Sequence, residues 1–211
     1  MLPTSLEPGL PLLIVVEGEN DVRFLKAISA ILHTDNPDLP DLAQLISERR
    51  AIFLPTGGNN LNEWVSRIAT LNKRAFFLFD REQEPETSER CRIVETVNQR
   101  PGSFAIMTRK RAVENYLHPF AILETCGVDL TFDDNTDVAS LLALKMMKRG
   151  REGSWCDLSS KRQRRLHDKA KKVLNVKAVQ LMTSSLLALQ DSEGEVIGWL
   201  ERIGQMIELN S

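Results

Sequence analysis

The sequence has few cysteines and no long hydrophobic segment. Its 211 residues include three widely spaced cysteines, Cys91, Cys126 and Cys156, with no C-x-x-C pair. This pattern argues against a disulfide framework or a cysteine zinc site, and for a reducing compartment. The longest apolar stretch, 10–16, is too short to cross a bilayer. No basic segment precedes it as in a secretion signal, so we expect a cytoplasmic protein without membrane association.

Two kinds of catalytic motif are also missing. No G-x-x-x-x-G-K-[ST] sequence occurs, which excludes an ATPase of the P-loop class from this sequence. The one tyrosine, Tyr116, stands beside Leu117 and is expected to pack in the core rather than act as a nucleophile. The three histidines have no metal-ligand spacing, which predicts surface or packing roles for His33, His118 and His167.

The formal net charge is only −2, but the charges are unevenly distributed. Residues 145–172 hold eleven Lys or Arg and three acids, which leaves the rest of the chain acidic. Such asymmetry indicates a polyanionic partner. We therefore expect Lys161, Arg162 and Arg165 to contact nucleic acid. The alternative is that these helical charges form only a solvated face.

Apolar runs alternate with helical patterns in the first part of the chain. The runs lack period-two polarity, which is typical of strands buried on both faces, and lie at 12–16, 51–54, 75–79 and 104–107. Helical patterns follow the first three runs, with short connections between the elements. This order predicts an α/β fold with a central parallel sheet of about four strands flanked by helices.

The second part of the chain is predicted to be helical. No convincing strand follows Pro119. Apolar periodicity predicts helices at 137–148, 161–174, 176–189 and 193–207. We therefore expect a core over 10–120 and a helical C-terminal extension over 121–211 that packs on this core.

Acidic residues follow three of the four predicted strands. They are Glu17, Asp21 one turn into the next helix, Asp80, Glu82 and Glu114. Ligands bind beyond the carboxyl ends of parallel strands, and Glu82 would face the same side as Asp80 if the chain stays extended. Two carboxylates about 5 Å apart repel by roughly 3 kcal/mol at a dielectric constant near 20, which favours a bound cation or protonation. An all-oxygen set suits Mg²⁺ or Mn²⁺. The alternative for each acid is a helix cap or an exposed loop charge.

Two acidic motifs, in this order, resemble those of the TOPRIM domain, which topoisomerases, bacterial-type primases and OLD-family nucleases share. The first is Glu17-Gly18-Glu19-Asn20-Asp21 after a hydrophobic strand, and the second is Asp80-Arg81-Glu82. The segment 55–61 resembles the glycine turn of that domain, and 109–117 resembles a segment of OLD-type members. The resemblance spans about 12–120 and implies a Rossmann-like TOPRIM fold.

The resemblance also implies roles for the acidic residues. Glu17 would be a general acid or base, or a metal ligand, with Asp21 supporting it. Asp80 and Glu82 would hold Mg²⁺, and Glu114 would fill a second metal site, giving one or two ions. In OLD-like enzymes two metals assist cleavage of a nucleic-acid strand.

Cationic residues have implied roles as well. A lysine late in the domain contributes to catalysis in OLD-like enzymes, and Lys172 and Lys177 are the candidates here. Arg109, Lys110 and Arg111 are expected to grip the scissile phosphate. Their alternative is an ion pair with Glu17 or Glu114.

Two departures from the family pattern shape the functional hypothesis. The usual D-x-D is D-x-E in this sequence, which lengthens one ligand arm, and the ATPase domain of OLD proteins has no counterpart. We expect a DNA endonuclease or nickase, an effector of two-component anti-phage defence with an ATPase partner in trans, and a possible homodimer. One alternative is a catalytically weak module that binds nucleic acid or regulates an ATPase. A primase-like nucleotidyl transferase is a third hypothesis, which is disfavoured because no zinc-binding or helicase-interacting extension is visible in the sequence.

Overall fold

The computed structural model describes residues 10–57, 61–71, 73–149 and 154–209. Its four strands form one sheet and are β1 (Leu12–Val16), β2 (Ala51–Pro55), β3 (Ala75–Phe79) and β4 (Ser103–Met107). Three of the seven residues of the predicted glycine turn, 58–60, lie outside the described residues.

Nine α-helices occur in the described ranges. They are α1 (Glu19–Asp35), α2 (Leu42–Ser47), α3 (Leu61–Thr70), α4 (Glu86–Asn98), α5 (Pro119–Cys126), α6 (Val138–Arg149), α7 (Ser160–Val176), α8 (Ser184–Gln190) and α9 (Glu195–Glu208). Short 3₁₀ helices cover Val113–Tyr116, Trp155–Asp157 and Ala178–Leu181.

The sheet is entirely parallel, with strand order β2-β1-β3-β4. Ile14 in β1 is in register with Phe53 of β2 on one side and with Phe76 of β3 on the other. The predicted α/β class, with a four-stranded parallel sheet and helices around it, is confirmed.

Side chains alternate between two apolar layers along the central strands. In β3, Phe76 and Leu78 belong to the layer that contains α1, whereas Phe77 and Phe79 pack with α3 and α4 on the opposite face. Both faces of β3 are therefore covered, which explains why its sequence is continuously apolar.

The C-terminal helices complete the layer on the α1 side. Buried side chains of α5 through α9, including Leu174 and Trp199, form one cluster with Ile14 and Phe76 of the sheet. The predicted boundary between residues 120 and 121 falls inside α5. The two predicted parts thus share one hydrophobic core.

Three helical details differ from the sequence prediction. α2 has six residues and α5 has eight, and both are too short to give a clear apolar period. The helix predicted over 176–189 is interrupted instead. A 3₁₀ helix ends at Leu181, and the Thr183 hydroxyl then caps α8 by accepting from the Leu186 amide. None of the helices within the described part of the chain is long and apolar enough to span a membrane.

Replacing Trp199 by alanine tests whether the sheet and the C-terminal helices unfold together. Trp199 is 1% exposed, and its ring meets that of Tyr116 edge-on at 5.2 Å. We expect the Trp199→Ala variant to lose about 3–5 kcal/mol of unfolding free energy in a single urea transition, monitored by circular dichroism. Leu189→Ala, at a side chain that is 72% exposed, is the control. A sheet that keeps the wild-type midpoint while only helices melt would contradict this expectation.

Candidate functional site

The site lies where the strand order reverses. α1 follows β1 on one face of the sheet, and α4 follows β3 on the other. The loops after these neighbouring strands therefore diverge and open a cleft, which is where ligands bind in open α/β sheets. The cleft has a volume of about 700 Å³ and is lined by Glu17, Gly18, Asn20, Asp21, Gly57, Asp80, Glu82, Gln83, Glu84, Glu86, Arg90, Arg111 and Lys171.

Glu17 and Asp80 are in direct contact at this junction. The Asp80 amide donates a hydrogen bond to Glu17 Oε1 at 3.1 Å. Asp80 Oδ1 in turn accepts from the Val113 amide at 3.1 Å, next to Glu114. The predicted acids after β1, β3 and β4 are thus brought together from distant parts of the sequence.

Asp21 and Asp80 are buried carboxyl groups of the cleft whose pKa values are raised. They are 8% and 6% exposed, and Asp21 Oδ2 accepts from the Gly18 amide at 2.7 Å. Burial, together with the charges of Glu114 and Glu17, raises the pKa of Asp21 to about 7. Burial and the neighbouring charge of Asp21 also raise the pKa of Asp80 well above its ordinary value. Neither group forms an ion pair within the described residues.

The other three predicted acids each have a cationic neighbour. Glu17 forms two hydrogen bonds of 2.9 Å with the Arg90 guanidinium. Glu114, 2% exposed, accepts from Asn175 Nδ2 at 2.8 Å, and its Oε1 lies 3.9 Å from Lys171 Nζ.

Glu82 is the most accessible of these three acids. Its Oε2 lies 3.5 Å from Arg111 Nε. The chain does not stay extended after Asp80 as expected, because Glu82 has a left-handed backbone with φ of 55°. This conformation costs a non-glycine residue about 1 kcal/mol, and such backbone strain clusters at ligand sites. The Glu82 amide donates to the Arg111 carbonyl at 2.9 Å, which holds the turn.

Arg90 was not among the predicted site residues. It is 6% exposed and lies on α4 three residues before Ile93 and seven before Val97, both of which are buried. A charged residue at an apolar position of an amphipathic helix needs a buried partner. The helical spacing of Arg90 with Ile93 and Val97 could have predicted from the sequence that Arg90 is buried, although it does not identify Glu17 as its partner.

The structure places Lys171 in the cleft, rather than the predicted candidates. Lys172 and Lys177 are exposed and do not line the cleft. The reason is helix phase, because Lys171 and Asn175 stand one turn apart on the face of α7 that meets Glu114. Glu114 raises the pKa of Lys171, burial opposes this, and Asp80 and Asp21 raise it further. The lysine is therefore cationic.

Of the three basic residues after β4, only Arg111 reaches the cleft. Its guanidinium also lies 3.7 Å from Asp137. Lys110 pairs with Asp134 and lies over the Tyr116 ring, 5.6 Å from the centroid. Arg109 pairs with Glu193 on the rim of other cavities. Arg109 and Lys110 thus have acidic partners outside the cleft.

Lys161, Arg162 and Arg165 line a different cavity. With Ser159, Leu166 and Lys169 they border a hollow of about 610 Å³ along the first half of α7. Their side chains are exposed. The predicted basic surface is therefore on the helix that also carries Lys171.

Tyr116 is fully buried, as expected for a packing residue. Its hydroxyl donates to Glu195, and burial, reinforced by that bond, raises its pKa. The phenol is therefore neutral and inaccessible to substrate.

The Asp21 and Asp80 pair fits a hard divalent cation. No group of three or more His, Cys, Asp or Glu side chains in the described ranges is arranged to hold a metal ion. Mg²⁺, however, is commonly bound through one or two carboxylates and completes its shell with water. Two buried carboxyl groups that form no ion pair within the described residues supply such a donor set.

No protein-family model matches this chain, and no curated protein matches it. Similar solved structures include the C-terminal region of the OLD protein from Xanthomonas campestris pv. campestris, phased with iodine and with mercury. Both are 16% identical to this chain with TM-scores of 0.48, and cover 95% of it and 97% and 98% of the solved chain. A likeness at this level concerns the course of the chain and says nothing about substrate or activity.

The raised pKa of Asp21 makes stability depend on pH. In the unfolded chain this carboxyl ionises near pH 3.8, and in the folded protein near pH 7. The folded state therefore holds more protons between these values, and stability falls as pH rises through this window. An Asp21→Asn variant avoids this loss and should exceed the wild type in unfolding free energy by on the order of 4 kcal/mol at pH 8.

Urea unfolding in EDTA at pH 4 and pH 8 measures this difference. Asp38→Asn, at an exposed side chain, is the control and should match the wild type at both pH values. An Asp21→Asn variant that is less stable than the wild type at pH 8 would show that the carboxylate has a favourable partner.

Proposed function

We propose that this protein is a Mg²⁺- or Mn²⁺-dependent nuclease of TOPRIM type, a DNA endonuclease or nickase. The observation that carries the proposal is the pair of buried carboxyl groups, Asp21 and Asp80, which form no ion pair within the described residues and lie in an open cleft with Lys171 and Arg111. Separating two such charges from water is costly, and a divalent cation offsets the cost. A cation bound beside two cationic side chains suits a phosphodiester substrate.

Each cleft residue has a proposed task. Asp21 and Asp80 would hold the ion, which when bound would supply positive charge to polarise the phosphoryl group. Lys171 donates hydrogen bonds to a non-bridging phosphate oxygen. Glu17 accepts from the Asp80 amide and so fixes the turn that carries Asp80. The further predicted ligands, Glu82 and Glu114, are proposed to keep Arg111 and Lys171 in place through their ion pairs.

We further propose that the exposed basic face of α7 binds the phosphate backbone of the substrate. Lys161, Arg165 and Lys169 recur every four residues, a rise of about 6 Å per step along a helix. These three form no ion pair within the part of the chain that the structure describes. Such a row neutralises successive phosphates without reading sequence.

One observation favours a second function, a catalytically weak module that binds nucleic acid or regulates an ATPase partner. Three of the five predicted acids are already ion-paired, and no three-residue metal group exists in the described ranges. In either case we propose an ATPase partner in trans, within a two-component anti-phage system. Full cleavage by the purified protein alone, with no binding to an ATPase encoded beside it, would contradict that part.

Nicking of supercoiled plasmid with Mg²⁺ or Mn²⁺ tests the nuclease proposal. We expect Asp80→Asn and Asp21→Asn to lose at least about 100-fold in rate, because charge stabilisation at the scissile phosphate is removed. Since the Asp21→Asn variant is expected to be more stable than the wild type, lost activity could not be ascribed to unfolding. Wild-type protein that binds DNA but nicks none with either metal would favour the weak module.

The same assay distinguishes the three lysines. We expect Lys171→Met to reduce the nicking rate by about 100-fold, since its ammonium group is held beside the carboxylates. Lys172→Met and Lys177→Met, at exposed positions, should lose much less. A larger loss in Lys172→Met or Lys177→Met than in Lys171→Met would return the catalytic role to the residues predicted from the sequence.

Charge reversal on α7 tests the phosphate contacts. We expect the Arg165→Glu and Lys169→Glu double variant to lower DNA affinity at least about tenfold, and to reduce the slope of log K against log salt by about 2. The control with the same change in charge is Arg67→Glu with Arg92→Glu, two exposed arginines on the opposite face of the sheet, of which Arg67 forms an exposed ion pair with Glu63. Fluorescence anisotropy at several salt concentrations provides both numbers. Equal losses in the two double variants would show a net-charge effect without a defined surface.

A further inference from the structure

Both carboxylate oxygens of Glu17 accept hydrogen bonds from neighbouring residues. Oε1 accepts from Arg90 Nε at 2.9 Å and from the Asp80 amide at 3.1 Å, and Oε2 accepts from Arg90 Nη2 at 2.9 Å. The two side chains are 13% and 8% exposed, respectively. Arg90 therefore meets Glu17 in the two-bond geometry in which a guanidinium fits a carboxylate best.

The Arg90 side chain is anchored and permanently charged. α4 fixes its backbone by burying Ile93 and Val97 against the sheet. A guanidinium does not lose its proton in a protein, so its charge stays beside Glu17 at every physiological pH. A metal ion that approached Glu17 would meet this positive charge and would have to replace two hydrogen bonds.

The ion pairs at the cleft leave two of the five predicted acids without a paired cation, which suits one divalent ion. Glu17, Glu82 and Glu114 have Arg90, Arg111 and Lys171 as cationic neighbours. Of the five acids predicted from the sequence, Asp21 and Asp80 are the two without an ion pair in the described residues, and one Mg²⁺ or Mn²⁺ balances the two charges that they carry when ionised. Glu84 and Glu86 also line the cleft, but both are exposed to water.

We infer that Arg90 binds Glu17 in the place that a second divalent cation would otherwise take. The cleft then binds one ion, and Glu17 positions Asp80 without being a metal ligand. This inference rests on the proposed function, since it assumes that Asp21 and Asp80 bind metal. It fixes the number of ions, which the sequence leaves at one or two. Arg90 is thereby a positioning residue that acts through Glu17.

Mn²⁺ binding to the metal-free protein tests the inference without an activity assay. Isothermal titration calorimetry and the loss of the free Mn²⁺ signal in electron paramagnetic resonance both count bound ions. We expect one ion in the wild type and two in Arg90→Gln, where Glu17 is released beside Asp80. Arg92→Gln, at an exposed position two residues along α4, is the control and should bind one.

A charge-matched double variant covers the case in which Arg90→Gln fails to fold. Glu17→Gln with Arg90→Gln removes one charge of each sign and leaves two groups that can hydrogen-bond to each other. The amide oxygen of the glutamine at position 17 can still accept from the Asp80 amide, so if Glu17 is not a ligand this variant binds one Mn²⁺ with an affinity within threefold of the wild type. A loss of tenfold or more in that variant, with folding verified by circular dichroism, would overturn the inference.

The remaining outcomes separate this inference from the proposed function. Two ions in the wild type, or one ion in folded Arg90→Gln, would overturn the role of Arg90 while the metal site stands. No Mn²⁺ binding by the wild type, even at millimolar concentration, would overturn the proposed function and the inference with it.

Discussion

The arrangement of charged side chains in the cleft depends on the repulsion among carboxylates at the junction of β1 and β3. Glu17 and Asp80 are in contact there, and Asp21 and Glu114 lie close enough to perturb Asp80. Three surrounding cations, Arg90, Arg111 and Lys171, offset part of this repulsion. The remaining repulsion acts on Asp21 and Asp80. In our proposal it gives the cleft its affinity for a cation.

The C-terminal helices belong to this balance as much as the sheet does. α7 supplies Lys171 and Asn175, which both contact Glu114. The helix is held in place because Ala170 and Leu174 are buried in the same core as β1 and α1. α7 thus provides the hydrogen-bond donor and the positive charge that a buried carboxylate such as Glu114 needs. The site is therefore assembled from both parts of the sequence.

Much of the fold could be predicted because its signals are local. β1 and β3 have the bounds that the apolar runs predict, and α4 covers Glu86–Asn98 as expected. Glu17, Asp21, Asp80 and Glu114 lie near one another, since parallel strands place their carboxyl ends at one edge. α2 and α5 were missed because six to eight residues show too little periodicity. The choice among Lys171, Lys172 and Lys177 depends on helix phase relative to Glu114, a relation between distant segments.

The sequence by itself determined the parallel sheet and the acidic character of its edge, because burial on both faces and strand-end acids are properties of neighbouring residues. Only the tertiary structure decided which acids have a cationic partner. It brings together Glu17 with Arg90, which are 73 residues apart, and Glu114 with Lys171, which are 57 residues apart. Such pairings follow from how helices pack on the two faces of the sheet, and no local pattern in the chain specifies that packing.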